Sequence, residues 1–570
     1  MILLPDGIKS TNTGVLGFMS VRASLPLLGG AVLLLGFGSV LMGAGPAKEV
    51  IVQAGDNVQE LVDRNPGGTT FRFKAGLHRG ISITPKDKDT FIGEPGAVLN
   101  GSQLLKFQRR GQFWIAAART NPDEEEIMRM GLPIQRPGGA GQGGGGGQGQ
   151  GQGQGQGGPR GGGGFGGPGN GRFGWPGGGG MGRGRQGGMR GGEGGHQQAN
   201  RPQQKEYRGR CQEQYPLCIF PEDVFVDDAP LVRVQHEDEL GPGKWYSDSA
   251  AGEIYLADDP TGHKVEIGAT RKAFSGSAHD VTIRGLTIEK YAQPAGEAAI
   301  DGKEAESWVV EQNEIRWNHA VGIRAGNNWK VLNNKTHHNG DAGMGGSGRD
   351  ILVEGNETYN NNYAGYWPGW EAGGAKFVMT ENLVVRNNFA HDNIGPGLWT
   401  DINNRNTLYE GNRTTNNTEG IFHEISFHAV IRNNTIWNDG NNDFGHHEAD
   451  AGILIGESRD VEVYGNTVRD CRNGILGRQL NRRQDAEMYH MPESYEIHNL
   501  YVHNNVIIQS SGIAVGIVKP APHVSDDIFT RWGNRFENNT FKLSDPNGEY
   551  FAWNNNRYRE DEWRKMMKDR

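Results

Sequence analysis

Cysteine is almost missing. Three residues in a chain of 570 are too few for a fold built on disulfides. No apolar run beyond residue 42 is long enough to cross a bilayer. There is no phosphate loop, no nucleotide fingerprint and no Ser/His/Asp order, so the sequence gives no support to nucleotide-driven or serine-hydrolase chemistry. An excess of positive charge is missing too. The net charge is −9, which argues against nucleic acid as a partner. Hydrophobic residues make up only 35% and mean hydropathy is −0.64, but one glycine-rich block holds many of the 91 glycines and accounts for much of this.

The N-terminus has the order of a secretory signal. Arg22 precedes an apolar run, residues 25–42, which is followed by the small residues Gly43-Ala-Gly-Pro-Ala47. A start at Met19 would give a signal of ordinary length. Residues 1–47 are therefore expected to direct export to a secreted, periplasmic or cell-surface location. Gly and Pro in the run favour cleavage, and an uncleaved membrane anchor is the alternative.

Residues 48–136 read as an N-terminal cap and first coils. A strand at Ile51-Val52 is followed by a short helix, residues 57–63, that Asp56 can cap. Alternating strands are then expected at 70–74 and 80–84, with shorter ones at 91–92 and 98–99. Residues 137–205 are almost entirely Gly, Gln, Arg and Pro, and should be disordered, because they have no apolar side chains to offset the entropy of ordering. Their Arg-Gly-Gly pieces resemble RNA-binding segments, but a surface insertion is the plainer reading. Residues 206–272 read as a small β elaboration. At its start, Cys211 and Cys218 are either bridged across a short loop or two buried thiols.

From residue 273 to 545 the chain repeats. Two apolar positions two apart, a spacer, then Gly or Asn and a fixed Asn recur, as in Ile351-Leu-Val-Glu-Gly-Asn356 and Ala429-Val-Ile-Arg-Asn-Asn434. A second Asn follows five residues later (Asn318, Asn339, Asn361, Asn393, Asn417), and Asp439 and Cys471 take that slot further on. A Gly then opens another strand. A repeat of about 22 residues holds three short strands that can pair only with the next coil, so the fold class is all-β, a parallel β-helix with rungs about 4.8 Å apart and stacked Asn ladders. A leucine-rich solenoid is the alternative, but no Leu motif is present. Three intervals are long, with surplus at 370–380, 441–451 and 479–499. Residues 546–570 form a charged tail suited to capping the last coil.

Aligning the strands on their Gly puts Tyr366, Leu398 and Ile421 inward and Trp367, Trp399 and Phe422 outward on successive rungs. Two positions on, Asp401 and Glu424 face out as neighbours about 5 Å apart. An external aromatic stripe beside carboxylates suits sugar rings, so Trp367, Trp399 and Phe422, with Arg478 two rungs on, are the expected substrate-binding residues. The alternative is that the inserted loops bury the stripe. Asp401 and Glu424 can serve as acid and nucleophile of a glycosidase. Alternatively, Glu371, Asp401 and Glu424 can hold Ca²⁺ through oxygen ligands while Lys376 acts as base. His423 falls at an inward position, either as a core histidine or as an oriented acid/base. His446-His447-Glu448 bring ligand-type residues, although adjacent histidines on a strand face opposite ways.

The repeats from 281 to 543, together with Gly67-Gly-Thr-Thr-Phe71, Ala75-Gly-Leu-His-Arg-Gly80 and Gly93-Glu-Pro-Gly-Ala-Val-Leu-Asn-Gly101, resemble the secreted bacterial right-handed parallel β-helix proteins of the pectin-lyase-like superfamily. The resemblance implies a polysaccharide as substrate or ligand, with lyases, epimerases and glycoside hydrolases among its members. Calcium-assisted lyases of this kind place a Glu ligand five residues before a catalytic Lys, an interval that Glu371 and Lys376 match. Leu398-Trp-Thr-Asp401 stands where those enzymes carry an Arg. The expectation is a monomeric, exported protein that cleaves a polysaccharide as a uronate lyase or glycoside hydrolase. A non-catalytic carbohydrate-binding or structural solenoid is the alternative.

Overall fold

Short β-branched strands separated by left-handed asparagines cannot pair within one coil, and the computed structural model shows each pairing with the next. It describes residues 49–118, 210–302, 304–442, 449–482, 489, 493–520 and 524–568. The expected signal segment, the glycine-rich block and His446-His447-Glu448 lie outside these residues.

Three columns of parallel strands stack along the solenoid. One runs Ala298–Asp301, Val321–Ala325, Ala342–Arg349, Gly373–Glu381, Leu398–Asp401, Ile421–Glu424, Ile453–Gly456, Ile475–Arg478 and Val515–Val518. A second runs from Glu49–Val52 through Thr70–Phe73 and Thr90–Gly93 to Thr282–Arg284 and onward, and a third is the twelve-stranded sheet that ends at Thr540–Leu543. Inward residues such as Ile323, Met344, Leu398, Ile421, Ile453 and Ile475 form one buried core along the coils.

Two asparagine ladders hold the turns. In the first, Asn313, Asn334, Asn356, Asn388, Asn412, Asn434, Asn466, Asn505 and Asn539 follow one another, each Nδ2 donating to the next Oδ1. The second runs Asn318, Asn339, Asn361, Asn393, Asn417 and ends on Asp439. Asp439 Oδ1 accepts from Asn417 N at 2.8 Å and Nδ2 at 2.9 Å, and Oδ2 accepts from Thr414 Oγ1 at 2.7 Å. Burial pushes its carboxyl up to about 7.

An unfolded Asp ionises near ~3.9. The fold therefore holds more protons than the unfolded chain between that pH and about 7, and stability falls as pH rises through this window. Asp439→Asn removes the titrating group, and its amide can donate to Thr414 Oγ1. It should raise stability by roughly 4 kcal/mol at pH 8 and by little at pH 4, which thermal unfolding at the two pH values will check.

Three local expectations are corrected. The first helix is Val58–Arg64, and Asn57, not Asp56, caps it by accepting from Glu60 N. Asp56 instead accepts from Gln53 N. The strand expected at 80–84 is displaced to Gly76–Arg79, leaving only an Ile83–Phe274 bridge behind. The small β elaboration is built jointly. Strands Ser102–Leu104 and Phe113–Ala117 pair with Val265–Gly268 and Glu253–Leu256. At the far end the helix Glu560–Lys568 buries Trp563 against Phe536, Phe551 and Trp553.

Candidate functional site

The rung before Trp399 is not the one containing Trp367. Residues 362–372 are an inserted loop, and the strand resumes at Gly373–Glu381, where Lys376 pairs with Trp399. The outward column therefore reads Arg324, Gly345, Lys376, Trp399, Phe422, Leu454, Leu476.

Trp399 and Phe422 do stack on adjacent rungs, with ring centroids 5.4 Å apart. They are buried, however, under Ala449, Ala451, Leu454, Leu476, Ile513 and Ala552. The stripe is thus a second hydrophobic core outside the coil, and neither ring is placed to stack on a sugar. Arg478 is likewise corrected: it is 1% exposed, and its Nη2 binds Glu424 Oε1 at 2.8 Å and Glu457 Oε2 at 3.1 Å. Only Trp367 is exposed, on the inserted loop. Phe422→Ala should cost about 3–4 kcal/mol of stability, as cavity-forming aromatic truncations do, and a chemical unfolding curve will show it.

The partly open surface of this face is instead a charged ledge. Lys376 is its centre. Its Nζ lies 2.9 Å from Asp401 Oδ2 and 3.6 Å above the centroid of the Trp399 ring, and it donates to Trp370 O. Asp401 ends its strand just after Thr400, the rung partner of His423. Glu424 follows His423 and so occupies the matching position on the next rung. Glu424 Oε1 accepts from Arg478 and, at 3.0 Å, from Arg482 Nη1. Arg482 comes from the third long interval, so one insertion supplies the Trp370 carbonyl and Glu371 and another supplies a cation. Glu371 Oε1 lies 3.9 Å from Arg324 Nη2.

Asp401 is a buried carboxyl. Burial raises its pKa; Lys376 and Arg482 oppose this and Glu424 reinforces it. Its Oδ1 has no hydrogen-bond partner among the described residues. A raised carboxyl with one oxygen free of hydrogen bonds has the character of a general acid, and that oxygen is itself buried. Asp341 is a second such group, raised well above the usual carboxylate range by burial and by Glu371. Both its oxygens, and the nearby buried Tyr366 hydroxyl, have no hydrogen-bond partner among the described residues.

His423 is inside the coil. Its Nδ1 meets Thr400 Oγ1 at 2.7 Å, Tyr409 donates to that hydroxyl, and burial lowers the imidazole to about 3, so it is a neutral core residue. The proposed calcium ligands do not gather as a set. Asp401 is held by Lys376, Glu424 by two arginines, and Glu371 stands beside Arg324. Among the described residues no three His, Cys, Asp or Glu side chains are grouped as metal ligands.

Asp341, Arg324 and Arg482 belong to this face and were missed by the sequence reading. Arg324 had a signal, since it stands in the outward column. Asp341 precedes its strand and Arg482 sits in an aperiodic insertion, so neither had one.

The family model described as "Right handed beta helix region" matches residues 298–468. Among solved structures, the complex of XylC with xylose is similar over 86% of this chain and 83% of that one, at 15% identity and a TM-score of 0.52. The mannuronan C-5 epimerase AlgE4 A-module of Azotobacter vinelandii covers 50% of this chain and 77% of its own, at 15% identity and TM-score 0.36. A glycoside hydrolase covers 87% and 97%, at 10% identity and TM-score 0.40. No curated protein sequence matches the chain. The chain has the fold of a right-handed parallel β-helix.

Proposed function

We propose that the chain is an exported, monomeric, carbohydrate-active protein that binds a polysaccharide along the ledge Arg324, Glu371, Lys376, Asp401 and Arg482 and hydrolyses it. The observation that carries this reading is the state of Asp401. Its carboxyl is raised by burial, fixed through Oδ2 to Lys376, and left with Oδ1 unengaged by hydrogen bonds. That describes a general acid for protonating a glycosidic oxygen, with Glu424 on the next rung as the second carboxylate. Arg324, Lys376 and Arg482 favour an anionic chain, and Trp367 offers the exposed aromatic face that the buried stripe does not. The xylose found with XylC agrees with a saccharide ligand. The 211–218 disulfide agrees with an oxidising compartment.

The cations also favour a second reading, a uronate lyase with Lys376 as base. Its Nζ would have to leave Asp401, the Trp370 carbonyl and the Trp399 ring to take up a proton.

The test is a screen of purified protein against anionic and neutral polysaccharides, with and without Ca²⁺ or chelator. New reducing ends without unsaturated products support hydrolysis. Unsaturated ends, lost with chelator, support a calcium-assisted lyase. Binding alone, unchanged in Asp401→Asn and Lys376→Ala, leaves a non-catalytic solenoid.

A further inference from the structure

The loop that carries Glu371 and the Trp370 carbonyl is not held by the β-helix alone. Residues 210–222 lie across it as a strap, and the strap is closed by the Cys211–Cys218 disulfide. Gln212 N donates to Gly365 O at 2.8 Å, Trp367 N donates to Arg210 O at 2.6 Å, and Gln212 Nε2 donates to Tyr366 O at 3.2 Å. Cys211 itself forms an antiparallel bridge with Tyr366. The Arg210 guanidinium lies 5.2 Å from the centroid of the Trp370 ring. Cys218, Ile219 and Phe220 pack with Tyr366 and Ala372 in one apolar cluster. At Gly365 the approach is so close that a Cβ would fall 2.3 Å from the Tyr215 ring, and the φ of +84° already favours glycine.

Between Arg210 and Pro221 the described strap contains turns and a single bridge but no strand. Its internal backbone hydrogen bonds among the described residues are three turn contacts: Tyr215 N to Gln212 O, Cys218 N to Tyr215 O and Phe220 N to Leu217 O. The disulfide is the covalent closure of this segment, and a closed loop has far fewer open conformations to escape into.

The contacts run onward into the ledge. Strap residues hold Gly365, Tyr366 and Trp367. Trp370 N donates back to Trp367 O at 2.9 Å. Trp370 O holds Lys376 Nζ, and Lys376 holds Asp401 Oδ2. Lys376 itself sits on a rung strand, so its backbone stays in place without the strap; of the ammonium's contacts, Asp401 and the Trp399 ring come from the next rung and the Trp370 carbonyl comes from the loop under the strap.

We propose that the disulfide-closed strap is the positioning element of the ledge, so that Lys376 and Asp401 take their working geometry only in the oxidised protein. Among the described residues the strap makes no contact with Asp401, so its residues are positioning residues. The turnover readout rests on the hydrolytic reading above, while the exchange readout does not.

The experiment compares the full chain, oxidised, with the chain under reductant, with the Cys211→Ser/Cys218→Ser double variant and with Gly365→Ala. The last separates strap from loop from the other side and keeps the disulfide. Amide hydrogen exchange is followed at Trp367 and Trp370 and, as control, at rung amides such as Val384 and Leu408. Exchange at Trp367 is expected to rise at least about tenfold in all three perturbed forms, with the rung amides unchanged. On the polysaccharide that the screen identifies, kcat should fall by about 10- to 100-fold, as small misplacements of reacting groups do, with KM moving little.

Unchanged exchange at Trp367 in the double variant would overturn the proposal. So would a loss of rung protection in parallel with it, since the strap would then be a general stabiliser. If exchange rises as expected but no form cleaves any polysaccharide, the strap stands and the hydrolytic reading fails.

Discussion

Asn412→Ala should lower stability by about 4 kcal/mol or more, a loss of the size that buried hydrogen-bond networks and core cavities produce. Asn412 sits in the middle of the first ladder, fully buried. Its Oδ1 accepts from Asn388 N at 3.0 Å and from Asn388 Nδ2 at 3.0 Å. Its Nδ2 donates to Val385 O at 2.9 Å and to Asn434 Oδ1 at 3.0 Å. Alanine removes all four bonds. The Asn388 backbone N–H loses its acceptor in a buried place, and each such orphan costs roughly 1–3 kcal/mol. A solenoid is stabilised by contacts between neighbouring coils, so a broken rung weakens the units on both sides of it. The measurement is the midpoint of chemical unfolding. Asn412→Asp supplies an internal control. It keeps the acceptor oxygen but, like Asp439, should lose stability as pH rises, because the unfolded carboxyl ionises at lower pH than the buried one.

The ladder was legible because it is periodic. An Asn at a fixed offset from two apolar residues leaves few alternatives once it recurs, and the ladder from Asn313 to Asn539 follows the sequence slots. The candidate site was legible in part. Asp401 and Glu424 were read as neighbours one rung apart, and the structure places them so. The aromatic stripe failed at one residue. Gly365 stands at the expected distance after Asn361 and was read as the start of a strand. The glycine in that register is Gly374, nine residues later, in the strand Gly373–Glu381 after the loop, and Gly365 is instead a left-handed residue pressed on Tyr215. The spacing of the earlier coils, a Gly four residues after the second Asn, fits Gly365 and not Gly374. What marks Gly374 is the alternation that follows it, where Ala375 and Phe377 are buried on one side and Lys376 and Val378 lie on the other.

Burial of Trp399 and Phe422 was not readable for a different reason. Outward-facing aromatics are covered here by residues from distant coils, including Ala449 and Ala552. No local pattern encodes that. The charged residues that replace the stripe as the candidate surface, Glu371 and Arg482, arrive on insertions. Insertions carry no repeat register by which their side chains could be placed, and they are also where solenoids tend to put function.

Asp401→Asn should lower kcat by about 10²- to 10⁴-fold, the range expected for loss of a general acid, with KM changed little. Asparagine keeps an oxygen that can accept from Lys376 and fits the same buried space, so the rung should stay folded. What it cannot do is deliver a proton through Oδ1 to the leaving oxygen. The pH profile separates this role from mere structure. In the native protein the carboxyl is raised by burial, so its proton is retained above the ordinary carboxylate range, and activity should fall as pH rises through that raised value. Lys376→Ala should move this alkaline limb upward. The ammonium at 2.9 Å favours the ionised form of Asp401, and without it the acid holds its proton to higher pH. A profile of kcat against pH for the native protein and for Lys376→Ala checks the direction. If the limb stayed fixed, Asp401 would not be the titrating acid. If the limb moved downward, the electrostatic link between Lys376 and Asp401 would be wrong in sign. The same Lys376–Asp401 contact thus sets two observables, the orientation of the acid and the pH at which it works, and the strap acts on both through the Trp370 carbonyl.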